Sequence, residues 1–166
     1  MFSTLKNIKD FFEDKTGFTI NRLTDKLKIV GTSNGLTIPV YHELITGYPL
    51  ARQFPVIGIL PARTEFSEEI ENHSFDRKHR VAIVVINGGT QEKQIQDELM
   101  LYSDAIVNIL QKDPTLNSRI VYTFVSSVDY GEMIQTQKGR ETIQAMTVEL
   151  VLIPKMKTDE IENTGN

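Results

Sequence analysis

Apolar residues recur along this chain with two different periods. Near its start, Leu5, Ile8, Phe11 and Phe12 fall at helical intervals, with Ser3 or Thr4 placed to cap a first helix and Gly17 to stop it. Further on, "FPVIGIL" and "RKHRVAIVVI" are nearly continuous apolar runs, the mark of strands covered on both faces. Polar, alternating "TEFSEEI" prolongs the first run, and "NHSFD" turns the chain into the second. Ile95, Leu99, Tyr102, Ile106 and Leu110 then repeat every three or four residues, while Lys93, Asp97, Asp104 and Asn108 face elsewhere. Asp113-Pro114 ends that long helix, because a residue before proline is pushed out of the helical region. Two more strands are expected over 120–128 and 143–153, joined by a linker holding Gly131 and Gly139.

The segment between the first helix and Phe54 breaks this regularity. "KLKIV" and "LTIPVY" flank "GTSNG", whose Ser33-Asn34-Gly35 suits a hairpin turn, and His42 to Gln53 reads as a short helix or an irregular loop. The expected organisation is a helix and irregular excursion over 1–53, a core over 54–153, and a polar, frayed tail over 154–166. Two hairpins joined by a long helix make an α+β domain, with the helix on one face of a mainly antiparallel sheet and an N-terminal helix added.

Composition narrows the chemistry. The 166 residues suffice for a buried core, and 40% apolar with 24% charged residues is ordinary for a globular protein. No cysteine is present, so disulfides, thiolate catalysis and cysteine metal sites are excluded. A net charge of −4 offers no overall attraction for nucleic acid or an anionic membrane. The first helix mixes Lys6, Lys9 and Lys15 with Asp10, Glu13 and Asp14 on its polar side, which favours packing on a core over a membrane surface. No secretory signal pattern and no apolar run of about 20 residues is evident, and a soluble protein is expected.

"VINGGTQEKQ" looks like a strand, a glycine turn and a helix start, as in phosphate loops. Phosphate cradles need several glycines at fixed offsets, and Gly88 and Gly89 are adjacent with none following, so the stretch reads as a turn with Thr90 as helix cap and Glu92 on its dipole. If His73, Asp76 and His79 lie along one extended strand, the two histidines are about 20 Å apart and cannot share an ion; only a compact loop with a fourth ligand would serve, and solvated turn residues are the plainer reading. Ser126, Ser127 and Asp129 lack the elbow that exposes a serine nucleophile. No catalytic, cofactor or metal residue is assigned.

What remains is charge. Glu65, Glu68, Glu69 and Glu71 precede the first hairpin turn, and Arg77, Lys78 and Arg80 follow it. Cross-strand ion pairing accounts for this pattern, and any DNA contact by the basic cluster would not be sequence-specific.

"FPVIGILPARTEF", "HRVAIVVI", the helix exit "LQKDPTL", "VSSVDYGEM" and the final "TVELVLI" together resemble tail terminator proteins of long-tailed bacteriophages, over residues 54–153. That resemblance implies a small α+β structural protein with no enzymatic activity or cofactor. It implies a homo-oligomer, a ring usually of six subunits, located in the virion and assembled in the host cytoplasm. Its partners would be the tail tube protein and a head-completion or connector protein. The charged residues of the first hairpin are then the expected subunit interface, alongside the 130–139 linker and the 28–38 hairpin as further extensions. Residues 22–53 depart from the family pattern, so another head–tail joining or baseplate protein stays open. From another class, a small ligand-binding domain or enzyme of unknown substrate also stays open.

Overall fold

A computed structural model describes residues 1–50, 53–69, 74–136 and 139–155. Three helices, α1 (Phe2–Glu13), α2 (Arg22–Ser33) and α3 (Glu92–Lys112), pack with six strands. The strands are β1 (Glu43–Thr46), β2 (Val56–Glu69), β3 (Ser74–Gly89), β4 (Tyr122–Tyr130), β5 (Ile134–Gln135) and β6 (Thr142–Ile153). They form one sheet in the order β1-β2-β3-β6-β4, with β5 also paired to β6. Every pairing is antiparallel except β1 with β2. The fold is therefore α+β, as the two-hairpin pattern implies, with β6 inserted between β3 and β4.

Alternation along the strands sends one set of side chains to the helices. Ile57, Ile59, Val81, Ile83, Val85, Met146, Val148 and Leu150 meet Ile95, Leu99, Tyr102, Ile106 and Leu110 of α3 in one buried cluster. The expected apolar stripe of the long helix is the observed one, and its exit at Asp113 is as expected. Just beyond, Leu116, Asn117 and Ser118 all adopt positive φ, an uncommon run for non-glycine residues. Leu116 is fully buried, and the Asp113 carboxylate accepts the Asn117 N–H at 2.8 Å and the Thr115 hydroxyl at 2.9 Å. Core anchoring and that one carboxylate hold the turn.

The opposite face of the sheet carries no helix among the described residues. A smaller apolar group sits there: Val56, Val84 and Ile86, flanked by Phe54, Leu60, Ala82, Ile143 and Ala145.

Several sequence expectations are corrected. The hairpin read into residues 28–38 is the end of helix α2. Leu23, Leu27 and Val30 lie at helical spacing and are buried in the main core, and the Asn21 side chain caps the helix by accepting the Thr24 N–H at 2.8 Å. Asn34-Gly35 is a helix terminus, with Gly35 at φ +68 just past the cap. Within 42–53, Glu43–Thr46 forms a parallel edge strand on β2. Helix α1 begins at Phe2, so Thr4 lies inside it and does not cap it, and α1 ends at Glu13, before Gly17. The third long strand begins at Tyr122 and reaches Tyr130, two residues later at each end than its apolar pattern indicates.

Deleting the side chain of Leu99, which is fully buried in α3, should cost about 2–5 kcal/mol, the usual range for an emptied core leucine site. Asp97→Ala, which removes one half-exposed i,i+4 pair with Lys93, should be nearly silent. Urea midpoints of the two variants check this, and equal shifts would contradict the assigned buried face.

Candidate functional site

Gly88 and Gly89 do not make a turn. Both are extended residues of β3, paired with Ile143 and Thr142 of β6. Their backbone groups lie in the sheet ladder instead of converging on an anion. Gly88 is required for space: a Cβ there would sit 2.7 Å from the Phe54 ring. Helix α3 starts after Gln91 with no side-chain cap, so Thr90 has no capping role. Asn87 is buried at the strand end, and its amide donates to Glu98 of α3 at 2.7 Å.

The other candidates resolve similarly. His73 lies outside the described residues, and Asp76 is described only as a strand position. His79, read from the sequence as a solvated turn residue, is a buried member of β3. Its Nδ1 lies 2.9 Å from the Thr4 hydroxyl, tying the start of α1 to the sheet. Burial, with the positive amino end of the chain and Arg77 nearby, lowers its pKa below the ordinary value. Ser126 donates to the Glu149 carbonyl at 3.2 Å, and Ser127 donates to Asp129 at 3.1 Å. Among the described residues no three His, Asp or Glu side chains converge as metal ligands. A groove of about 400 Å³ between α2 and the end of α3 is lined by apolar Phe18 and Ile29 and by polar Asp25, Lys26, Asn108 and Lys112. The Arg22 guanidinium beside it stacks 3.9 Å from the Phe11 ring centroid and is a packing element.

The β2–β3 hairpin has the most distinctive geometry. The last row shared with β6 is His79 with Leu152. Beyond it β2 and β3 pair alone, through Glu65–Lys78, Phe66–Arg77, Ser67–Asp76, Glu68–Phe75 and Glu69–Ser74. At roughly 3.4 Å per residue these rows form an arm about 17 Å long. Two-stranded ribbons without a third layer are marginal in water.

At the root of this arm an ion triad spans three strands. Arg80 donates through Nε to Glu65 and through Nη1 to Glu149, each at 3.0 Å. The hydrogen bond and charge of Arg80 hold the Glu65 carboxyl below its usual range, and both carboxylates push the Arg80 pKa upward. Arg63 adds a longer contact to Glu65 at 3.6 Å. On the other face of the arm Phe66 is 69% exposed, with the Arg77 guanidinium 5.9 Å from its ring centroid.

The structure therefore brings together Glu65 and Arg80 of the charged set. Arg77 and Lys78 are exposed on the arm. Glu68 and Glu69 are placed only as strand positions near its end, and Glu71 lies outside the described residues. Sequence reasoning missed Glu149, although a lone carboxylate within the apolar run "TVELVLI" is a signal that its strand has a polar spot on one face. It also missed Phe66, an aromatic in an otherwise polar strand.

No protein-family model matches the chain, and no curated protein matches it. Among solved structures, a chain described as "Virion of native gene transfer agent (GTA) particle" is similar at 10% identity and a TM-score of 0.39. The aligned region covers 81% of this chain and 92% of that one. A superposition of that quality is a loose likeness of architecture and says nothing of this chain's role.

Because the fold lowers the His79 pKa while a free histidine titrates near 6.5, the unfolded chain binds the extra proton first as pH falls. Stability should therefore drop between about pH 7.5 and 5.5, and His79→Gln should reduce that drop. Urea midpoints at the two pH values test it; an unchanged pH dependence would show that His79 does not carry the effect.

Proposed function

We propose that this chain is a non-enzymatic structural protein of a phage tail or neck, a tail terminator that forms a ring on the tail tube and joins it to the head. The observation that carries this reading is the arm. About 17 Å of paired strand projects past the sheet, exposing an aromatic and two cations, while the main apolar cluster of the described residues lies under the helices. A subunit that must reach a neighbour needs such an extension on a rigid base, and the Arg80 triad fixes the angle at which it leaves. The sequence resemblance over 54–153 supplies the identity of the assembly, a ring of six subunits with the tail tube and a head-completion protein as partners.

Charges on the arm would act mainly on orientation and partner choice, since exposed pairs add little affinity. Arg80 is engaged within its own subunit, so Arg77 and Lys78 are the residues available for this work.

Two experiments test the assignment together. In a phage carrying a disrupted copy of this gene, electron microscopy should show heads without tails and tails of abnormal length; normal virions would refute the role. Complementation with Arg77→Glu plus Lys78→Glu should restore a folded subunit with an unchanged urea midpoint. It should lower the yield of joined particles by roughly tenfold or more, since like charges at an interface cost at least about 1.4 kcal/mol.

A further inference from the structure

The sheet has two edges, and they differ. β1 is four residues long and packs beside α1, whereas β4 is nine residues long and forms the opposite margin. Among the described residues, the outer side of β4 makes a backbone hydrogen bond only at its start, where the Thr123 N–H donates to the Pro114 carbonyl at 2.8 Å. Its sequence, "YTFVSSVDY", contains no Lys, Arg or Pro; a bulge between Val125 and Ser127 and the single charge of Asp129 are its only protective devices. Tyr122 and Phe124 are 48% and 49% exposed on the helix-free face. An edge this long and this weakly guarded is a template for strand addition.

The arm offers a matching strand. β1 covers β2 only from Val56 to Ile59, so the β2 side of the arm, 65–69, has an open ladder of its own. We infer that β4 receives the β2 side of the arm from a second copy of this chain, antiparallel, extending one sheet into the next. Charge selects the direction. Asp129 and Glu132 are exposed at the end of β4, and Arg63 and Lys78 are exposed at the root of the arm. Antiparallel pairing sets that basic root beside the acidic end of β4. The reverse sense would place Glu68 and Glu69 there, like charge against like.

This direction also fixes the symmetry. Within one subunit β2 is already antiparallel to β4, through three successive antiparallel pairings. A neighbour's β2 antiparallel to β4 therefore points the same way as the subunit's own β2. The copies repeat head to tail, which closes into a ring or runs on as a filament. The inference takes from the tail reading only that copies of the chain assemble.

The chain has no cysteine, so single introduced thiols report one contact each. Arg63→Cys and Asp129→Cys lie on the same sheet face, as do Arg63→Cys and Tyr122→Cys, and all three sites are exposed. Mixed and oxidised at high concentration, the first pair should form a disulfide about tenfold faster than the second, because exchange follows the local concentration of the partner thiol. The double variant Arg63→Cys with Asp129→Cys should give a ladder of linked subunits. Each variant must first show the wild-type urea midpoint. Equal rates, faster 63–122 or 129–129 linkage, or rates no higher than with Asn108→Cys on the outer face of α3 would overturn the inference. Normal virions without the gene would refute the tail role and leave this cross-linking result intact.

Discussion

The apolar stripe of α3, seated on the inward side chains of β3 and β6, is the contact on which the rest of the molecule depends. Leu99, Tyr102 and Ile106 are fully buried there, against Val81, Ile83, Val85 and Val148. Once that face is filled, the positions of the remaining elements follow. α1 and α2 complete the same layer, Tyr102 donates to the Pro39 carbonyl at 2.6 Å and pins the segment after α2, and His79 with Thr4 secures the start of α1. Burial of the Tyr102 ring raises the pKa of its hydroxyl.

A sheet covered on one face and long in two of its strands has consequences at its margins. β2 and β3 continue past the end of β6, where Pro154 lacks the N–H needed to prolong a ladder. The arm is what results when two strands outgrow their neighbours. Its root is stiffened on the helix-free side by the Arg80 triad, which runs diagonally across β2, β3 and β6 from the Lys78 row of Glu65 to the Ala82 row of Glu149. Partial exposure of all three residues makes the triad a small contributor to overall stability, and its value is in orientation. The same margins that leave the arm unsupported leave β4 open.

Much of this was legible in the sequence from Phe54 onward, because long runs with a clear period leave little choice of element. The two long hairpin strands, the α3 stripe and the proline-driven exit all follow from residue spacing. What failed did so for identifiable reasons. In α2, Gly31 and Thr32 dilute the helical stripe of Leu23, Leu27 and Val30, and Asn34-Gly35 serves equally as a hairpin turn or a helix terminus. β1 is only four residues long and takes its form from parallel pairing with β2, a tertiary influence no local pattern reports. Gly88-Gly89 looked like a corner because adjacent glycines favour turns, yet here one of them makes room for Phe54. At the candidate surface the charged hairpin was visible, while the third member of its triad came from a strand nearly 70 residues away, beyond the reach of local patterning.

If strand addition joins the subunits, the arm and the β4 edge are unsupported in a single subunit and become paired strands on assembly. Amide hydrogen exchange, measured on the isolated chain and on assembled particles, tests this most directly. In the isolated chain the amides of residues 65–69 should exchange far faster than those of Val81, Ile83 and Val85, and in particles both the arm and the outer amides of β4 should become protected. Arm amides as slow as the core strand in the isolated chain, or unchanged on assembly, would contradict it.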